Sequence, residues 1–144
     1  MKFEIRDTVF TTEEFIPLLK EAELDGRFPL RLRDEWESGE TRFCRPGEAL
    51  LGAYVEGCLV AVGGITHDPY DPEDGLGRVR HVYVLHSWRR RGIGRALMKA
   101  IVERARGDFT QLRLRTRNSA AARLYESLGF VQHLQPSETH RLVF

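Results

Sequence analysis

Apolar and polar residues alternate along the chain in a way that predicts short strands and amphipathic helices. Residues 3 to 6 alternate apolar and charged side chains, which indicates a strand. Thr11 and Glu14 have the spacing of a capping box, and apolar residues then recur at helical spacing, although Pro17 favours a later start for the regular helix. We expect this helix to end at residues 25 and 26, and we expect a second, short helix over residues 30 to 38.

The middle of the chain has the pattern of a β-hairpin. Two apolar runs, 50 to 55 and 58 to 65, are separated by Glu56-Gly57, a two-residue connection close in type to Asp-Gly. The following segment, 67 to 77, is rich in proline, glycine and acidic residues, so it predicts an exposed loop. A β-branched run from Val79 to Leu85 predicts the next strand.

The last third of the chain alternates helices and strands. Apolar residues from Ile93 to Ala105 share one helix face, and Gly107 ends that helix. The remaining predicted elements are a strand over residues 112 to 116, a short helix capped by Asn118 or Ser119 that ends at Leu128 before Gly129, and a closing hairpin from Phe130. The predicted order is therefore β, α, α, β-β-β, α, β, α, β-β, an α/β fold.

Composition bounds the classes of function. With 144 residues and 42% hydrophobic content, we expect one compact domain. The 22 Lys+Arg and 21 Asp+Glu leave a formal charge of +1, which gives no global field for attracting a polyanion. The interrupted apolar runs predict neither a secretory signal nor a membrane span, and two cysteines without metal-ligand spacing fit a reduced, cytoplasmic setting.

Candidate chemistry begins at Arg89-Arg90-Arg91-Gly92-Ile93-Gly94, between a predicted strand and a predicted helix. Backbone N–H groups and a helix N-terminus converge there, so the segment predicts an anion site, with pyrophosphate the expected ligand. A dinucleotide fold would need a third glycine where the chain has Leu97, and a phosphate-binding NTPase loop would need Gly-Lys-Ser/Thr. A glycine turn that only packs helix on strand is the remaining alternative.

A second motif makes the loop far more specific. The pattern Arg89-x-x-Gly92-x-Gly94, followed by a helix, a strand and the segment from Asn118 through Leu124-Tyr125 to Gly129-Phe130, resembles the GNAT superfamily of coenzyme-A-dependent N-acetyltransferases. The resemblance covers about residues 79 to 131. The first 78 residues agree with the family in the order of their elements and contain no matching motif.

The resemblance implies a mixed, mostly antiparallel sheet flanked by helices, in which two parallel strands splay apart and acetyl-CoA enters the gap without any metal. It implies that backbone groups of Val82 and Val84 pair with the pantetheine arm and that Asn118 hydrogen-bonds it. The pyrophosphate is then expected at the glycine loop, on Arg89, Arg90, Arg91, Gly92, Ile93, Gly94 and Arg95.

Tyr125 corresponds to the tyrosine that acts in this family as general acid and protonates the departing thiolate. A phenol with a pKa near about 10 suits that leaving group. The alternative is that Tyr125 is a core aromatic residue of its helix. Because the sequence contains no metal cluster, nucleophilic cysteine setting or Ser-His-Asp arrangement, we expect direct attack by the amine in a ternary complex.

The general base is not identified by the resemblance. Arg78, Arg80 and Arg113 align with positions where several family members carry a glutamate or histidine. His81 lies on the correct strand, but strict alternation predicts that its side chain faces away from residues 80 and 82. His67 and Tyr83 are the other candidates for the base.

The acceptor is predicted to be a primary amine on a small molecule or peptide. Arg113 and Arg115 share one strand face, as Arg78 and Arg80 do, which favours an acid-bearing acceptor. The alternative is that Arg113, Arg115 and Arg117 pair with Glu103, Glu126 and other surface acids. The resemblance also implies that residues 24 to 36 form the acceptor-side wall, and it leaves a homodimer open. A nucleic-acid partner is disfavoured by the near-zero net charge, whereas an acetyl-CoA-binding sensor without turnover remains the alternative function.

Overall fold

The computed structural model describes residues 2–25 and 28–144. Within them, no helix is long and apolar enough to cross a membrane. The order of elements agrees with the predicted order. They are β1 (Glu4–Asp7), α1 (Thr12–Asp25), α2 (Phe28–Ser38), β2 (Ala49–Val55), β3 (Cys58–His67), β4 (Leu76–Val84), a 3-10 turn (His86–Trp88), α3 (Ile93–Arg106), β5 (Gln111–Leu114), α4 (Ser119–Ser127), β6 (Val131–Gln135) and β7 (Glu138–Val143).

The strands form a seven-stranded sheet in the order β1-β2-β3-β4-β5-β7-β6. Among the described strands, β4 and β5 alone pair in parallel, and the other neighbouring pairs are antiparallel. The predicted mixed, mostly antiparallel sheet is therefore confirmed. The strand β7 inserts between β5 and β6, so the closing hairpin forms one end of the sheet.

Two consecutive glycines of β3 show what covers each face of the sheet. A Cβ on Gly63 would lie 2.8 Å from the Ile101 side chain of α3, and a Cβ on Gly64 would collide with the Phe43 ring. Phe43 in turn stacks on Trp36 of α2 at 6.5 Å. Since neighbouring residues of a strand point to opposite sides, α3 covers one face, called the α3 face here, and α2 and residue 43 cover the other, the α2 face.

The local turn and capping signals are confirmed. Glu56 and Gly57 have φ angles of 50° and 80°, as a two-residue hairpin turn requires. The Thr11 hydroxyl oxygen accepts a hydrogen bond from the Glu14 N–H at 3.3 Å. The expected late start at Pro17 is wrong, because α1 begins at Thr12 and holds the exposed Pro17 in its interior. Burial of the apolar face compensates for the missing N–H, and the expected end at residue 26 lies outside the described residues.

Strand ends differ from the prediction where long-range pairing decides them. The β4 strand begins at Leu76 rather than residue 79, because residues 76 to 78 pair with β5 on one side while β3 flanks them on the other. The preceding segment is not wholly exposed, since Asp68 is buried and forms an ion pair with the buried Arg78 at 3.4 Å. The β5 strand ends at Leu114, and the N–H of Thr116 donates to the side-chain hydroxyl of Thr139 on β7 instead of to a backbone carbonyl.

Candidate active site

A gap opens between the two parallel strands. The β4–β5 ladder has three pairs, from Leu76↔Gln111 to Arg78↔Arg113, after which β4 continues to Val84 without β5 beside it. The predicted splay is thus present. An extended ligand can add to such an unpaired strand edge through backbone hydrogen bonds, and Val82 and Val84 lie on this stretch.

The glycine loop leaves an open cradle at the end of β4. Arg90 and Gly92 have φ angles of 62° and 83°, and Gly92 is the N-cap residue of α3. The first hydrogen bond of the helix joins the Ala96 N–H to the Gly92 C=O at 3.0 Å, so the preceding N–H groups have no partner within the helix. A Cβ on Gly92 would meet nothing within 4 Å. The loop therefore offers donors, a helix N-terminus and space for an anion.

Most of the loop arginines shape the loop. Arg89 donates from Nε to the Val84 C=O at 2.7 Å, Arg95 donates from Nη1 to the Ser127 hydroxyl at 2.8 Å, and Arg91 stacks over the Trp88 ring at 4.9 Å. These contacts fix the loop against β4 and α4. Arg90 is exposed and makes no such contact with the described residues.

The helix α4 borders the cradle and the gap. A Cβ on Gly94 would lie 3.6 Å from Val84 and 3.9 Å from Leu124, so the start of α3, the end of β4 and the second half of α4 meet there. Asn118 is the N-cap residue of α4, as one of the two predicted alternatives has it, and its Oδ1 accepts from the Ala121 N–H at 2.9 Å. Its side-chain NH₂ group keeps both donors for a ligand, since no described residue accepts them.

Tyr125 lies on the buried side of α4. Its side chain is 8% exposed and its ring is 5.9 Å from the Phe130 ring. Burial raises the pKa of the phenol to about 12, and no described residue hydrogen-bonds to the hydroxyl. Tyr125 is thus a core residue whose hydroxyl stays protonated over the physiological pH range, as a general acid must be.

The predicted orientation of His81 is wrong in one respect. His81 and Arg80 both contact Glu35 of α2, whereas alternation places them on opposite faces. The pairing of β4 with β3 shifts register at this point, and His81 has a φ of 59°, so a β-bulge turns its ring onto the α2 face. Val82 lies on the α3 face, opposite His81 as predicted but also opposite Arg80, because its side chain lies 3.3 Å from the position of a Cβ on Gly63.

Glu35 is a functional candidate that the sequence alone did not indicate. Its carboxylate is 4% exposed and accepts from Arg31 at 2.8 Å, from Arg80 at 3.0 Å and from the His81 Nε2 at 3.1 Å. Burial opposes ionisation, but the hydrogen bond from His81 and the charge of Arg80 lower the pKa of Glu35 to about 2. Only its i, i+4 spacing from Arg31 is visible in the sequence, and that spacing does not reveal the contacts with β4.

The other two candidates for the base are already engaged. The His67 Nε2 lies 2.7 Å from the Pro46 C=O, and the Tyr83 hydroxyl donates to Glu21 at 2.7 Å. His81 differs, because its Nδ1 is buried and has no hydrogen-bond partner among the described residues. Burial also lowers the pKa of His81, the hydrogen bond to Glu35 opposing this. Burial thus favours the neutral imidazole, with Nε2 held by Glu35 and Nδ1 enclosed by the surrounding side chains.

Replacing Glu35 by glutamine is expected to destabilise the protein by about 2 kcal/mol at pH 7, because Arg80 then keeps a nearly buried charge without its counterion. The pKa of Glu35 is lower in the folded than in the unfolded chain, so its contribution is complete above about pH 4.5 and is lost as the pH falls towards about 2. Denaturant unfolding at pH 7 and pH 3 measures both effects. The exposed neighbour Glu37, changed to glutamine, is the control; equal stabilities of the two variants at pH 7 would contradict the account.

Most of the arginines considered for an acid-bearing acceptor are paired inside the fold. Arg113 contacts Asp71 at 3.1 Å and Glu138 at 3.4 Å, in addition to the Arg78–Asp68 pair. The acids proposed as alternative partners are engaged elsewhere: Glu103 pairs with Arg106, and Glu126 binds the buried His140 at 2.7 Å. Arg115 and Arg117 are exposed and form no ion pair within the described part of the chain.

Comparisons with known proteins agree with this geometry. The family model of the acetyltransferase (GNAT) domain matches residues 46–132. The chain is 36% identical over 89 residues to the N-alpha-acetyltransferase RimI of Mycobacterium tuberculosis, a match that covers 59% of this chain and about half, 53%, of that relative.

Solved structures share the whole fold. A crystal structure assigned to an acetyltransferase from Exiguobacterium sp. 255-15 superposes with a TM-score of 0.86 at 30% identity, covering 99% of this chain and 94% of the other. The ribosomal-protein-alanine N-acetyltransferase of Brucella melitensis has the same fold, with a TM-score of 0.72 at 23% identity and coverage of 98% and 99%. The family match, the splayed strands and the glycine cradle lead to one conclusion: the chain belongs to the GNAT acetyltransferase family.

Proposed function

We propose that this protein is an N-acetyltransferase that moves the acetyl group of acetyl-CoA to the α-amine of a peptide or protein by direct attack in a ternary complex. The single observation that carries the proposal is the gap between β4 and β5, with the open Gly92 cradle at the end of β4 and with α4, the helix of Tyr125, packed against the start of α3. This arrangement supports binding of the pyrophosphate at the start of α3 and of the pantetheine arm along Val82 and Val84.

In this proposal Tyr125 donates a proton to the leaving group and His81 accepts a proton from the amine. The Tyr125 hydroxyl donates its proton to the departing thiolate, and the raised pKa of about 12 ensures that the proton is present. Asn118 donates to the pantetheine arm with the NH₂ group that the helix cap leaves free. The positively charged amine must lose a proton before it attacks, and His81 accepts that proton directly or through water.

Replacing His81 by glutamine is expected to lower kcat/KM about 10-fold to 100-fold near pH 7, where an α-amine with a pKa near about 8 is mostly protonated. The loss of kcat/KM should be smaller above about pH 9, because most of the amine is then already deprotonated and needs no base. A pH–rate profile of both proteins measures this difference. A loss that is the same at all pH values would contradict a role as base and indicate a structural effect.

The names of two relatives, which state acetylation of α-amines and of a ribosomal-protein alanine, support the acceptor class. An acid-bearing acceptor draws little support from Arg78 and Arg113, which are already paired with carboxylates. A panel of neutral, cationic and acidic amines, with short peptides carrying free or blocked α-amines, tests both points through thiol release and mass spectrometry.

The alternative is a sensor that binds acetyl-CoA without turnover. The acetyltransferase family model and the named acetyltransferase relative favour the enzyme. Saturable binding of acetyl-CoA with no acetylated product from any amine of the panel would establish the sensor instead.

A further inference from the structure

A cavity of about 340 Å³ lies on the α2 face, away from the glycine cradle. Its walls are the segment 39 to 48, the end of β3 and Arg80 of β4, with Arg42, Cys44, Glu48 and Thr66 among the lining residues. A volume of this size is within the range of ligand sites and far exceeds that of one water molecule. We call it the Thr66 cavity.

Thr66 is the feature that points to a ligand. Its side chain is 3% exposed, and its hydroxyl has no hydrogen-bond partner among the described residues. A buried hydroxyl without a partner destabilises the folded state, so such groups call for a specific explanation. Thr66 lines the cavity, and a ligand that displaces part of the wall to reach this enclosed hydroxyl would supply the missing hydrogen bond.

The polar groups around the cavity favour a neutral ligand with its own hydrogen-bonding groups. Three arginines and three carboxylates line it, so their formal charges cancel. Both Glu48 oxygens already accept backbone N–H groups, from Arg45 at 3.2 Å and His67 at 3.0 Å, which leaves few carboxylate oxygens for a cation. Arg80 is held by Glu35 through Nη2, and its Nε and Nη1 donate to no described residue. These donors, with the Thr66 hydroxyl, suit peptide carbonyl groups.

The register of the sheet sets the distance between the Thr66 cavity and His81, where the acceptor amine is proposed to lie. Thr66 pairs with Arg78, three residues before His81 on β4, which is roughly 10 Å along a strand. An extended peptide covers that distance in about three residues. A peptide whose α-amine lies at His81 would therefore reach the cavity with its third residue.

We propose that the Thr66 cavity is a subsite for the backbone of the acceptor peptide around its third residue, held by hydrogen bonds from Thr66 and Arg80. This inference rests on the proposed function and adds a length requirement to it. An acceptor that is only a small amine gains nothing from the cavity, whereas a peptide of three or more residues does.

Peptide amides of one to five residues with free α-amines test the length requirement. For the natural sequence, kcat/KM is expected to rise at least 10-fold between two and four residues. Thr66→Val should reduce that rise at least threefold without affecting the one-residue substrate, and its unfolding temperature should not fall, because the lost hydroxyl has no partner. Thr12→Val, which changes an exposed threonine outside the cavity whose hydroxyl bonds to no described residue, is the control. A Thr66→Val profile identical to that of the natural sequence would overturn the proposal.

Protection of Cys44 tests the cavity without relying on turnover. Cys44 lines the cavity, and Cys44 and Cys58 are both exposed free thiols. In a Cys58→Ser variant, saturating tetrapeptide amide is expected to slow alkylation of Cys44 by iodoacetamide at least threefold, and a one-residue amide should not. An unchanged rate with the tetrapeptide would overturn the subsite. Protection without any acetylation would support the subsite and contradict the proposed function, so the two failures are distinguishable.

Discussion

Replacing Tyr125 by phenylalanine is expected to lower kcat by about 10²- to 10⁴-fold, the usual contribution of a general acid, while the Kd for acetyl-CoA stays unchanged. The hydroxyl has no hydrogen-bond partner among the described residues, and the ring packs against Phe130. The substitution therefore removes the transferable proton with little loss of packing. Stopped-flow detection of thiol release under saturating substrates, together with calorimetric titration of acetyl-CoA, measures the two quantities separately.

A matched control separates this effect from a general response to losing a phenol. Tyr70 is 56% exposed, and its ring lies under the Arg78 guanidinium, a contact that phenylalanine preserves. We expect Tyr70→Phe to change kcat less than about threefold. If Tyr125→Phe retains the natural turnover, the hydroxyl is not the acid, and Tyr125 is only a core aromatic residue.

Replacing Gly92 by aspartate is expected to raise the Kd for acetyl-CoA by about 100-fold or more. The residue caps α3 at a φ of 83°, with open space where a side chain would project. A carboxylate there would lie where the pyrophosphate is expected, and placing like charges together costs several kcal/mol. Negative charge at a helix N-terminus does not disfavour the helix itself, so the variant should remain folded. Calorimetric titration measures the Kd.

Gly57 provides a close control for this substitution. It has a φ of 80°, and a Cβ there would also meet nothing within 4 Å, but it lies in the β2–β3 turn. Gly57→Asp therefore imposes the same backbone strain without placing charge at the cradle. Equal Kd values for the two aspartate variants would mean that the loop does not bind the pyrophosphate.

Much of the fold could be predicted because it depends on local signals. The Glu56-Gly57 turn, the apolar face of α3 and the Asn118 cap each act within a few residues, and the structure has all three. The start of β4 and the end of β5 could not be predicted, because partners far away in the chain set the limits of the ladder. The low helix propensity of proline likewise led us to predict too late a start for α1. Burial of the apolar face of α1 outweighs the cost of Pro17 in its interior.

The candidate site also combines features that the sequence alone shows with features that long-range contacts determine. The glycine loop and the segment from Asn118 to Tyr125 are continuous motifs, so the sequence alone located them. The Glu35 contacts with Arg80 and His81 join α2 to β4 across more than forty residues and depend on a β-bulge that no sequence pattern marks. Ion pairs of Arg113 with Asp71 and Glu138 also join distant parts of the chain, and they weaken the argument for an acidic acceptor.

A rapid-quench single turnover tests the central claim most directly. The protein is mixed in excess with acetyl-labelled acetyl-CoA and a tetrapeptide with a free α-amine, and the label is followed in acid-precipitated protein, in peptide and in acetyl-CoA. The account predicts that label passes from acetyl-CoA to the peptide α-amine without appearing on the protein. Label that accumulates on the protein before the peptide would contradict direct attack, and label that stays in acetyl-CoA would contradict the transferase function itself.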